Sequence, residues 1–69
     1  MILVELNGEE HELPDGATVA DAVALLGVPL DARGVAVAVD REVVRRGAWD
    51  ETALRAGARV EILTAIQGG

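Results

Sequence analysis

The 69-residue chain contains no cysteine, serine, lysine, tyrosine or phenylalanine, and it has a single tryptophan and a single histidine. Without cysteine there is no disulfide staple, thiolate metal site or thiol nucleophile, so stability has to come from packing. The lack of serine, lysine and tyrosine also removes most of the nucleophiles and general bases on which enzymes rely. His11 has no second histidine or cysteine at metal-ligand spacing and reads as a strand-margin residue. Glu10 and Glu12 share a strand face, as an exposed acidic strand does. Six of the eight glycines are scattered singly from Gly8 to Gly57, with no spaced run of the kind that cradles phosphate. The inventory predicts a protein that is not an enzyme and holds no metal or cofactor of its own.

Long apolar runs are missing too. No stretch approaches the ~18 residues of a membrane span, and the charges in "MILVELNGEEHEL" come too early for a signal peptide, which predicts a cytoplasmic protein. Positive charge is scarce at the start: residues 1–34 hold seven acids against Arg33, whereas residues 35–69 hold five acids and five arginines, for a total of −6. An anionic surface repels phosphate backbones and anionic lipid, so neither nucleic acid nor membrane is an expected partner. What remains is an aliphatic chain, 51% hydrophobic, of a size that makes one domain.

The periodicity orders that domain. In "ILVEL", Ile2, Val4 and Leu6 alternate with Leu3 and Glu5 as in a half-buried strand. Asn7-Gly8 is a strong hairpin signal and predicts that "EEHEL" returns antiparallel. Val19, Ala22, Val23 and Leu26 then fall at helical spacing, with Thr18 as N-cap, Asp21 in the first turn and Gly27 as stop, giving a helix over about 18–27. "VAVAVDREVV" reads as two strands about a turn at Asp40-Arg41, a poorer turn pair than Asn-Gly. "GAWDETALRAGA" is loop with one short helical turn, Trp49 plugs the core edge, and "RVEILTAI" is the last strand. One helix with one apolar stripe needs one sheet face to cover it. The expected fold is therefore α+β: a β-grasp with a mixed five-stranded sheet packed on the helix over residues 1–66, followed by a flexible tail, residues 67–69.

The sequence finishes on "TAIQGG", whose last two residues, Gly68 and Gly69, have no side chain. Glycine permits the closest approach of another surface to the backbone, and about three residues span some ~10 Å when extended, enough to thread a narrow channel. The one unusual chemical group is the carboxylate of Gly69.

The opening strand into "NG", the helix "DGATVADAVALLG", "VAVAVDREVVRR", the lone tryptophan and the finish "AGARVEILTAIQGG" together resemble the ThiS family, the ubiquitin-like sulfur carriers of thiamin biosynthesis. The recurrent finish in that family is "DGDxVEIVxAVxGG", and Ala58 stands here at a place that is acidic in that pattern. The resemblance implies that the Gly69 carboxylate is adenylated by an E1-like adenylyltransferase of the ThiF type, using ATP and Mg²⁺ held by that enzyme. Sulfur from a donor such as a cysteine desulfurase would then make a C-terminal thiocarboxylate, which a ThiG-type thiazole synthase consumes. Gly68 and Gly69 are then the reactive end. The related small subunits of molybdopterin synthase share fold and ending, and a β-grasp interaction module with an inert Gly-Gly is a further alternative. Strand parity places Ala36, Ala38, Leu63 and Ala65 on the outer sheet face. With Ile66 and Gln67 they form the expected partner-binding surface, rimmed by Arg45, Arg46, Arg55 and Arg59.

Overall fold

The computed structural model describes residues 1–64. Strand β1 (Ile2–Leu6) and strand β2 (Glu9–Leu13) form a hairpin, followed by helix α1 (Val19–Leu25), strand β3 (Val35–Val39), strand β4 (Glu42–Val44), a 3-10 turn over Arg46–Ala48 and strand β5 (Arg59–Thr64). The sheet order is β2-β1-β5-β3-β4. β5 runs parallel to β1 and antiparallel to β3, so the last strand lies at the centre of the sheet, as in a β-grasp.

Alternation does what the sequence implies. Val4, Leu6, Val37, Val60 and Ile62 point inward and are buried with Val19, Ala22 and Val23 of α1. Val35 and Val39 pack against the margin of the same core. Burying an aliphatic side chain of this size contributes about 1.5–3 kcal/mol, and this face supplies most of the stability of a seven-residue helix that is too short to stand alone.

The helix is shorter than its apolar stripe. Thr18 and Asp21 form a reciprocal capping box, with the Thr18 N–H donating to the Asp21 carboxylate at 2.9 Å. Val19 and Ala20 donate their otherwise unpaired N–H groups to the carbonyls of Thr52 and Trp49, so the loop after β4 closes the helix start. At the other end Leu26 is the C-cap, Gly27 adopts φ +79°, and Gly27 and Val28 donate back to Ala24 and Val23 in a Schellman arrangement. The expected span of 18–27 thus included both caps.

Both hairpins turn through two residues at positive φ, Asn7 (+50°) with Gly8 (+88°) and Asp40 (+49°) with Arg41 (+73°), the signature of a type I′ turn. The weaker turn pair is held by β5: Asp40 donates its N–H to the Arg59 carbonyl at 2.8 Å and accepts the Arg59 N–H on Oδ1 at 3.0 Å.

Trp49 is the expected plug. It is 3% exposed and its Nε1–H donates to the Val44 carbonyl at 2.9 Å. Arg46 does not rim the outer face as expected: its guanidinium lies 4.7 Å from the centre of the Trp49 ring and donates to the carbonyls of Leu30 and Ala32, fastening the loop after α1.

Candidate functional site

The sheet has a second face, turned away from the helix. On it Ala36 lies directly across from Leu63, and Ala38 lies between Glu61 of β5 and Val43 of β4. Leu63 is 66% exposed and Val43 82% exposed; Ala36 is exposed and Ala38 half-buried. Three strands therefore share one shallow apolar patch: Leu63, Ala36, Ala38 and Val43. The first three are the expected partner-binding residues of this region, brought together by strand register. Val43 was not among them, although its alternation with the inward Val44 already pointed to the outer face.

The remaining expected site residues, Ala65, Ile66, Gln67, Gly68 and Gly69, lie outside the described residues, as do the last two positions of the 1–66 domain and the whole 67–69 tail. The strand that leads to them is held on both sides until just before that point. Asn7 places its side-chain amide where a further residue of β1 would sit: Nδ2 donates to the Ile62 carbonyl at 3.0 Å, and Oδ1 accepts the Ile62 N–H at 2.8 Å. Beyond Ile62 the described pairing of β5 is with β3 alone, Ala36 with Leu63 and Val35 with Thr64. A turn residue thus anchors β5 at Ile62, two residues before Thr64, a role its sequence context does not announce because the partner is 55 residues away.

The other half of the outer face is charged. Leu3 and Glu5 of β1 face Glu12 and Glu10 of β2, and Glu5 pairs with Arg59 at 3.3 Å. Of the arginines expected to rim the patch, Arg59 does lie on the outer face; Arg45 and Arg55 are exposed and form no ion pair among the described residues.

Among the described residues the inward side carries no catalytic constellation. His11 lies opposite Val4, with Nε2 3.9 Å from a Glu9 carboxylate oxygen and no hydrogen-bond partner. Among the described residues no three His, Asp or Glu side chains are grouped to hold a metal ion. Nor is any described helix long and apolar enough to cross a membrane. The geometry supplies a central strand anchored on both sides and an exposed apolar surface beside its described end.

The family model described as "ThiS family" matches residues 2–69. The chain is 28% identical to the thiamine biosynthesis protein (ThiS) of Geobacter metallireducens, whose crystal structure superposes with a TM-score of 0.77 over 99% of this chain and 100% of that one. The solution structure of a thiamine biosynthesis protein from the same organism, also 28% identical, gives 0.78 over 99% of this chain and 88% of that one. No curated protein matches the sequence.

Proposed function

The chain belongs to the ThiS family, and on that premise we propose that it is a sulfur carrier of thiamin biosynthesis, with the Gly69 carboxylate as the group that is loaded. The observation that carries this reading is the match of the family through Gly69, together with an apolar outer face set beside the strand that leads there.

The chemistry follows from the carboxylate. It is ionised at neutral pH, so one of its oxygens can attack the α-phosphate of ATP; pyrophosphate leaves and an acyl adenylate forms. A carboxylate does not itself expel oxide, whereas the adenylate expels AMP. The outer sulfur of a donor persulfide then adds to the acyl carbon and AMP departs with its oxygen; a second thiol, supplied by the partners, attacks the donor sulfur of the resulting acyl disulfide, forms a disulfide with it and releases a thiocarboxylate on Gly69. The ATP, the Mg²⁺ and the acid-base groups belong to an E1-like adenylyltransferase of the ThiF type. A ThiG-type thiazole synthase would take the sulfur. This chain contributes recognition: Leu63, Ala36, Ala38 and Val43 give a partner an apolar surface, and the absence of Cβ at Gly68 and Gly69 lets the end pass a narrow channel.

Incubation of the protein with its activating enzyme, ATP and a sulfur donor is expected to raise its intact mass by about 16 Da, sulfur for oxygen. An unchanged mass under conditions where the enzyme consumes ATP would count against the reading.

A further inference from the structure

The last strand is gripped by the first central residue of each hairpin turn. At its start Asp40 donates its N–H to the Arg59 carbonyl at 2.8 Å and accepts the Arg59 N–H on Oδ1 at 3.0 Å. Near its finish Asn7 makes both bonds with one side chain: Nδ2 donates to the Ile62 carbonyl and Oδ1 accepts the Ile62 N–H. The Asn7 N–H also donates to the Val60 carbonyl at 2.9 Å, so one turn residue holds β5 from Val60 to Ile62.

The grip at Ile62 is not needed to make the turn. A type I′ turn asks only for positive φ at its two central residues, which Asp40 and Arg41 supply in the other hairpin without an amide. β1 ends at Leu6, which pairs with Val60, whereas β5 runs on to Thr64. A primary amide carries the donor and acceptor of a peptide group, and Asn7 uses both to hold β5 where β1 has turned away. Without it, the described part of β5 from Ile62 onward would pair with β3 alone. A two-stranded ribbon twists more than a wider sheet and opens more readily, so this amide governs the direction in which the chain leaves the sheet.

Building on the carrier reading, we propose that Asn7 is a positioning residue for loading: by fixing β5 at Ile62 it aims the Gly69 carboxylate at the ATP of the activating enzyme. A carrier that docks by its outer face but leaves β5 loose at Ile62 reaches the attacking geometry less often once bound. The loss belongs to kcat. The apolar patch of Leu63, Ala36, Ala38 and Val43 is held together by the pairing of β3 with β4 and β5, so docking and KM are left nearly as they were. Asp40 supplies the control, because its grip is on the end of β5 away from Thr64.

The test is pyrophosphate release by the activating enzyme against carrier concentration, at a temperature where circular dichroism finds every variant folded. Asn7→Gly keeps a residue suited to positive φ and removes the amide; kcat is expected to fall about tenfold with KM within about twofold of wild type. Asn7→Asp keeps an acceptor for the Ile62 N–H but sets a carboxylate against the Ile62 carbonyl, and should be impaired at least as much. Asp40→Gly should lower the unfolding midpoint yet keep kcat within about twofold. In NMR relaxation the backbone amides of Leu63 and Thr64 should gain motion in Asn7→Gly while those of Val37 and Ala38 do not. Wild-type kcat and KM in Asn7→Gly overturn the positioning role and leave the carrier reading intact. Equal losses of kcat in Asn7→Gly and Asp40→Gly overturn it too, since the effect would then be one of general stability, and a change in KM alone would assign Asn7 to docking instead. A wild-type chain that draws no pyrophosphate from the enzyme overturns both readings.

Discussion

The two faces of the sheet come from the same alternating strands and meet opposite surroundings. Facing the helix are Val4, Leu6, Val37 and Val60, none more than 2% exposed. Facing outward are Leu63, Ala36, Ala38 and Val43, apolar as well but open to solvent, and beside them a charged half with Glu5, Glu10 and Arg59. Apolar area buried within the chain stabilises the fold; apolar area left open becomes stabilising only when a second surface covers it. One face therefore holds the protein together, and the other is available to a partner. Substitutions on the two should separate stability from sulfur loading.

The largest effect belongs to the inner face. Val23 is fully buried, and Val23→Asp would place an unpaired carboxylate in the core. The cost, ~4 kcal/mol or more, is comparable to the whole stability of a domain this size, ~3–10 kcal/mol, so circular dichroism should find the variant unfolded at 25 °C. Smaller is Asn7→Ala, which removes both hydrogen bonds to Ile62 and puts a Cβ residue without a polar side chain at positive φ. About 2 kcal/mol should be lost and the midpoint lowered by roughly 10 °C.

On the outer face the order reverses. Leu63→Asp should shift the midpoint by no more than a few degrees, because the side chain is 66% exposed, yet it should slow loading by about tenfold or more through loss of docking. A collapse of stability in this variant would erase the distinction between the faces. Smallest for stability is Gly68→Leu: the midpoint should stay within about 1 °C of wild type while mass spectrometry finds no loading.

Much of this division was legible in the residues. The alternations in "VAVAV" and "RVEILT" sorted Val37, Val60 and Ile62 from Ala36, Ala38 and Leu63, because a period of two leaves each residue only two faces to choose from. The capping residues Thr18 and Gly27 were readable for a similar reason: their interactions are local. What escaped was non-local. Asn7 reads as half of a turn, and only the fold brings Ile62 to its amide. Arg46 reads as one more surface cation, yet its acceptors are the carbonyls of Leu30 and Ala32, groups every residue has and no pattern marks. The turn at Asp40-Arg41 was readable but the positive φ of Arg41 was not, since Asp-Arg is a poorer turn pair than Asn-Gly and β5 supports the geometry through Asp40.

In the carrier reading, residues 1–64 are a handle and the reacting atom is the carbonyl carbon of Gly69. The most direct test of that reading is intact and tandem mass spectrometry of the wild-type chain and of a chain ending at Ile66, each incubated with activating enzyme, ATP and sulfur donor. A gain of about 16 Da confined to Gly69 is expected in the first and none in the second. The same gain in the shortened chain, or on any residue other than Gly69 in the full one, would contradict that reading.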